Sequence, residues 1–116
     1  VLVAKRQSQM PNRSKQKGDR DELNLVHAAK DYGLHARRVP LSGAAEGFKG
    51  DVIIKDSREN SWTVECKHRA NSFKQIYSWM APHVDALTIR ADRQPRLVVM
   101  HEATFFELLR RDDNDA

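Results

Sequence analysis

The chain has 116 residues, enough for one compact domain and too few for two. Hydrophobic residues make up 40% of it and charged residues 31%, which is typical of a small core beneath a highly charged surface. The single cysteine, Cys66, excludes an internal disulfide framework and a zinc ribbon. No apolar run approaches the roughly 18 residues of a membrane span, so we expect a soluble protein from a reducing compartment.

The net charge of +4 is distributed unevenly along the chain. The first 20 residues carry a charge of +5, and the last five carry −3. A basic segment predicts either a polyanionic partner, whose condensed counterions it displaces, or a solvated leader, and charge alone does not choose between them. We divide the chain into a flexible basic arm at 1–17, a folded domain at 18–111 and an acidic tail at 112–116.

A helix is predicted at about 19–32 from the spacing of its apolar residues. Its period is marked by Leu23, Val26, His27 and Lys30. Gly33 follows, in the position of a left-handed C-terminal cap. Residues 34–39 are predicted to form a strand that ends before Pro40, and three glycines in 41–50 indicate a mobile loop.

Residues 51–55 and 61–68 flank a polar turn, which predicts a β-hairpin. The remaining predicted elements are a helix at 71–80, strands at 86–90 and 96–100, and a helix at 102–111. The last helix is expected to turn Phe105, Leu108 and Leu109 inward. The order α-β-β-β-α-β-β-α predicts an α/β (α+β) fold in which helices flank one mixed five-stranded sheet.

The hairpin carries the residues best suited to chemistry. With its turn centred on Arg58, Asp51 and Glu65 would be cross-strand neighbours with Cβ atoms roughly 4.5–5.5 Å apart. Two carboxylates so close need a shared proton or a cation between them, and oxygen ligands suit Mg²⁺. Lys67 follows on the same face as Glu65, while Cys66 points to the core face. The alternative is a surface hairpin in which Lys67 is an ordinary salt-bridge partner.

Four segments carry a resemblance to a known family. They are Lys17-Gly18-Asp19-Arg20-Asp21-Glu22-Leu23, Arg38-Val39-Pro40-Leu41-Ser42-Gly43-Ala44, Gly50-Asp51-Val52-Ile53 and Val64-Glu65-Cys66-Lys67. The sequence resembles the PD-(D/E)XK nuclease superfamily, of restriction-endonuclease-like fold, and more narrowly the archaeal-type Holliday junction resolvases. It departs from the usual pattern at Gly50, where proline is common, and at Cys66, where an aliphatic residue is usual.

The resemblance implies a role for each matching residue. Asp51 and Glu65 would be ligands of Mg²⁺, for which Mn²⁺ substitutes, and Lys67 would position or activate the attacking water. Glu22 would complete the acidic cluster, unless it is an ordinary glutamate at a helix N-terminus. Ser42 would contact the scissile phosphate region, unless it is a simple turn residue. The residues implied to bind DNA are Lys17, Arg20, Arg38, Ser42 and Arg69.

The implied activity is structure-specific DNA cleavage that resolves four-way junctions by paired phosphodiester hydrolysis. A symmetric junction needs two incisions, so a homodimer is expected. The alternatives are a nuclease of the same fold that nicks, trims or restricts duplex or other branched DNA, and a non-catalytic DNA-binding module. The expected partner is branched DNA and not a membrane. The expected location is the cytoplasm, or the host cytoplasm if a phage encodes the chain.

Three further arginines, Arg90, Arg93 and Arg96, flank the turn between the last two predicted strands. They could contact phosphate groups, and a solvated hairpin tip is the equal alternative.

Overall fold

The computed structural model describes residues 13–39 and 52–112, with residues 13–17 described in backbone only. The helices are α1 (Arg13–Asp31), α2 (Lys74–Trp79) and α3 (Glu102–Arg110). The strands are β1 (His35–Arg38), β2 (Val52–Lys55), β3 (Ser61–Val64), β4 (Leu87–Ile89) and β5 (Leu97–Val99). In this part of the chain, every helix is too short or too polar to cross a membrane.

The described strands form two separate sheets, whereas the sequence predicted one mixed sheet of five strands. β1, β2 and β3 form a three-stranded sheet in that order, and β4 and β5 form a two-stranded sheet. Each pairing joins strands that are neighbours in the sequence, and each is antiparallel. The mixture of α-helices with antiparallel sheets is compatible with the predicted fold class, because helices still cover a sheet.

The core lies between α1, the three-stranded sheet and α3. Its buried members are Val26, Ala29, Leu34, Val52, Ile54, Phe106 and Leu109. The rings of Tyr32 and Phe106 meet at a centroid distance of 5.4 Å, which links the residue directly after α1 to α3. The core therefore joins elements from both ends of the domain around the central strand β2.

The inward face of α1 differs from the predicted one. Val26 and Ala29 are buried, whereas Leu23 is 42% exposed, and His27 and Lys30 are exposed. The buried stripe follows the side of the helix that packs on β1 and β2. The sequence has leucine or alanine on several neighbouring sides of α1, so periodicity alone does not identify the side that meets the sheet.

Gly33 ends α1 as predicted. Its φ is +81°, a conformation that residues with a Cβ rarely adopt. The Gly33 amide donates to the Lys30 carbonyl at 2.9 Å, and the Leu34 amide donates to the Ala29 carbonyl at 3.1 Å. These two bonds form a Schellman motif, which turns the chain from the helix directly into β1.

Two element boundaries and the inward face of α3 also differ from prediction. α1 begins at Arg13 and not near residue 19, because lysine, arginine and glutamine have high helix propensity. β3 ends at Val64, although alternation continues to His68. In α3, Phe106 is fully buried and Leu108 is 49% exposed, so Phe106 takes the inward position predicted for Leu108.

Asp56 organises the turn between β2 and β3. Its Oδ1 accepts hydrogen bonds from the Arg58 and Asn60 amides, each at 2.9 Å, and its Oδ2 accepts one from the Trp62 indole at 3.0 Å. The next residue docks this turn onto α3, because the Ser57 amide donates to the Leu109 carbonyl at 2.9 Å and its hydroxyl donates to the Arg111 carbonyl. The turn thus caps the C-terminal end of α3.

These bonds make the turn sensitive to acid. The Trp62 indole, followed by the Asn60 and Arg58 amides, lowers the pKa of Asp56 below its usual 3.8. A carboxyl with a lowered pKa stabilises the fold fully above its unfolded pKa, and that contribution is lost as pH falls through the folded pKa. We expect the difference in urea midpoint between the protein and Asp56→Ala to be constant above about pH 5 and to shrink below about pH 4. A difference that persists undiminished at lower pH would contradict this.

Candidate active site

The register of the β2–β3 hairpin is the one predicted. Val52 pairs with Val64, and Lys55 pairs with Ser61, which centres the turn on Arg58. Arg38 pairs with Val52 from the other side, so β1, β2 and β3 reach one end of the sheet at the same level. Glu65 is the residue after Val64. Asp51 lies outside the described residues, so its pairing with Glu65 stays a prediction.

Glu65 and Lys67 share one side of the segment that follows β3. The Lys67 Nζ lies 3.1 Å from the Glu65 Oε1, and both side chains are more than half exposed. Cys66 between them is partly buried and packs against the core. The predicted alternation is therefore confirmed, with the carboxylate and the amine facing outward next to each other and the thiol facing inward.

Glu22 lies on α1, close to the same end of the sheet. Its Oε1 accepts a hydrogen bond from the Arg38 Nε at 2.9 Å and lies 2.8 Å from the Arg38 Nη2. Asp19, one turn earlier on α1, accepts from the same Nη2 at 2.9 Å. The Glu22 side chain is 18% exposed, so this ion pair fixes a largely buried carboxylate. The sequence predicted separate roles for Arg38 and Glu22 and did not indicate their contact.

A second contact joins α1 to the segment after β3. The His68 Nδ1 lies 4.0 Å from the Asp21 Oδ1, and the imidazole carries a charge only when it is protonated. Asp21 and His68 are the immediate neighbours of Glu22 and Lys67 in the sequence. This contact therefore brings the backbone next to Glu22 close to the backbone next to Lys67. Local sequence patterns do not predict this contact, because its partners are 47 positions apart.

For the remaining predicted site residues, the structure shows no hydrogen bond or ion pair with Glu22, Glu65 or Lys67 among the residues it describes. Arg20 and Arg69 are exposed, and the Arg69 guanidinium donates to the His68 carbonyl at 3.0 Å. Lys17 belongs to α1, and its side chain is not among those described. Ser42 lies outside the described residues. The DNA contacts assigned to these residues stay predictions.

A cleft of about 750 Å³ lies at the other end of the hairpin, between the turn and α3. Among its lining residues are Asp56, Trp62, Phe105 and Leu108. The Trp62 and Phe105 rings meet edge to face there, with centroids 5.7 Å apart. The cleft does not contain Glu22, Glu65 or Lys67, so we do not assign the chemistry to it.

A family model described as phage putative PDDEXK endonuclease matches residues 13–115. The chain belongs to this endonuclease family. No curated protein and no solved structure matches it. Membership supports the PD-(D/E)XK nuclease superfamily, and hence nuclease activity on DNA, but it does not specify the narrower group of archaeal-type Holliday junction resolvases.

The residues that the endonuclease offers fit a hard divalent ion. PD-(D/E)XK nucleases generally use Mg²⁺, which prefers carboxylate and water oxygens. Glu65 supplies an exposed carboxylate, and Asp51 would supply a second. Residues 13–39 and 52–112 contain no group of three histidine, cysteine, aspartate or glutamate side chains placed to hold a metal. Asp51 lies outside these residues, so a magnesium site formed by Asp51 and Glu65 stays a prediction.

Proposed function

We propose that this endonuclease cuts branched DNA, with four-way junctions as its substrate, by Mg²⁺-dependent hydrolysis. The observation that carries the proposal is the β2–β3 register together with the Glu65–Lys67 contact of 3.1 Å. In that register Val52, which follows Asp51, pairs with Val64, which precedes Glu65. Family membership supports the nuclease part of the proposal, and the resemblance of the four sequence segments supports the junction.

Asp51 and Glu65 would hold the ion through their carboxylate oxygens. A bound Mg²⁺ lowers the pKa of water and offsets negative charge on a phosphate. Glu65 would also hold the Lys67 amine, 3.1 Å from its carboxylate, close to the scissile phosphate. The overall reaction adds water to phosphorus and releases the 3′ oxygen, which leaves a 5′ phosphate on the other product.

Lys67 would orient the attacking water and counter the negative charge that develops on the phosphate. Its amine is more than half exposed, so a phosphate can reach it from solvent. Glu22 would complete the acidic group from α1. The Arg38 guanidinium, which binds both Glu22 and Asp19, would hold the Glu22 carboxylate in place. Because these two carboxylates neutralise the charge of Arg38, it would bind DNA phosphates less strongly than an unpaired arginine.

Contacts with the DNA backbone would come from residues around this end of the sheet. Arg20 and Arg69 are exposed and suited to phosphate contact. Lys17 and Ser42 complete the proposed set. Since these contacts are to phosphate and not to base edges, binding should depend strongly on salt and weakly on sequence.

A four-way junction has two-fold symmetry and requires incisions in two strands. One chain of this size offers one site, so a homodimer would present two sites in matching orientation. The dimer is part of the proposal and is tested with it.

The deciding experiment compares cleavage of a mobile four-way junction and a linear duplex of the same sequence, each with Mg²⁺ and with EDTA. We expect symmetric cuts in the junction that require Mg²⁺, little cutting of the duplex, and a dimer mass in solution. Equal cutting of both substrates would replace the junction proposal with a nuclease of ordinary duplex. Binding without any cutting would leave a non-catalytic DNA-binding module.

A further inference from the structure

The β4–β5 hairpin carries three arginines at its tip. Leu87 pairs with Val99, and Ile89 pairs with Leu97. Continuing this register by one pair places Arg90 opposite Arg96, with Arg93 midway in the turn between them. All three side chains belong to exposed residues. The hairpin therefore projects three positive charges from the end of a two-stranded sheet.

Like charges opposite each other in a sheet destabilise it unless an anion lies between them. Within residues 13–39 and 52–112, none of the three arginines forms an ion pair with a carboxylate, although Asp92 lies in the same turn. By contrast, Arg38, which the sequence predicted to bind DNA, is paired with Asp19 and Glu22. The hairpin tip thus has a net positive charge, with three arginines against Asp92, and within residues 13–39 and 52–112 no carboxylate forms an ion pair with these arginines.

Two of these guanidinium groups are held in place by the hairpin itself. The Arg90 Nε donates to the Gln94 carbonyl at 2.9 Å, and the Arg96 Nη1 donates to the Thr88 hydroxyl at 3.1 Å. Each bond uses one N–H, and a guanidinium has five. The groups are therefore partly ordered and keep donors available for a planar, multiply charged acceptor such as phosphate.

Arg93 occupies a backbone position that does not favour arginine. Its φ is +64°, in the left-handed region where glycine or asparagine is the less strained choice. Arginine at this position adds a positive charge to the tip but strains the backbone. This makes Arg93 the residue at which stability and binding can be separated by one substitution.

We infer that the β4–β5 hairpin tip is a DNA-backbone contact, in which Arg90, Arg93 and Arg96 bind phosphates of a duplex arm. The inference rests on the proposed function, because it needs DNA as the substrate. It adds to that function a binding surface separate from the residues assigned to cleavage. The tip contributes affinity and salt dependence, and it takes no part in the hydrolysis.

The test measures binding of a fluorescent four-way junction and a linear duplex in EDTA, over a series of KCl concentrations, with full-length protein. Arg93→Gly should lower the slope of log affinity against log salt by about 1, and Arg90→Gln with Arg93→Gly and Arg96→Gln by about 3. The thermal midpoint of Arg93→Gly should be unchanged or higher, because glycine suits the left-handed backbone. Loss of binding without loss of stability is the expected signature.

Two control variants separate the tip from general effects. Glu59→Gly makes the same backbone change in the other hairpin, where φ is +67°, and should leave the slope unchanged. Lys30→Gln removes one positive charge from an exposed position on α1 and should change the slope less than Arg93→Gly. A wild-type slope in the folded triple variant would overturn the hairpin inference alone. If the wild-type protein bound neither DNA, the proposed function would fail with it.

Discussion

Glu65→Gln should abolish Mg²⁺-dependent cleavage, lowering the rate by more than about 100-fold while DNA binding is retained. The amide is nearly the same size as the carboxylate but carries no charge, so it is a poor ligand for a hard cation. Loss of a direct ligand should exceed the 10- to 100-fold effects typical of residues that only support ligands. Asp51→Asn should behave in the same way. Single-turnover cleavage of the junction and binding in EDTA measure the two effects separately.

Glu59→Gln is the matched control for Glu65→Gln. Glu59 belongs to the same hairpin, its side chain is 71% exposed, and the Lys55 Nζ lies 3.8 Å from its carboxylate. We expect this variant to cut DNA at the wild-type rate. Mg²⁺-dependent cutting that survived Glu65→Gln would refute the assignment of Glu65 as a ligand.

Phe106→Ala should be the most destabilising single substitution in the described core. Phe106 is fully buried and contacts Tyr32, so truncation removes a large apolar group and leaves a cavity. Such changes cost about 3–5 kcal/mol, a large share of the stability of a domain this size. The thermal midpoint should fall by at least about 10 °C.

Leu108→Ala on the same helix provides the comparison. The Leu108 side chain is 49% exposed, so its truncation should cost less than about 1 kcal/mol. Urea unfolding of both variants measures the difference. Equal costs would mean that α3 turns Leu108 inward, as the sequence alone had predicted.

Local patterns predicted the features that depend on near neighbours. The hairpin register followed from a turn centred on Arg58, and Gly33 was identified as a cap because a left-handed position favours glycine. The alternation of Glu65, Cys66 and Lys67 followed from strand geometry. Each of these inferences needed only a few consecutive residues and a known backbone conformation.

Features that depend on tertiary packing could not be predicted in the same way. The inward side of α1 is set by the sheet it meets, and Leu23 and Leu25 are chemically identical candidates. The Arg38–Glu22 ion pair joins residues 16 positions apart, and each had a plausible separate role. Division of the strands into two sheets likewise depends on contacts between elements, which periodicity does not report.

The β2–β3 turn also limits which insertions and deletions this chain can accept. Residues 56–60 lie at the far end of the hairpin from Glu65, yet their number determines which residue of β3 faces Val52. A codon inserted or deleted there would shift the pairing and turn Glu65 to the opposite face of the sheet. The proposed chemistry therefore requires the turn to keep its length.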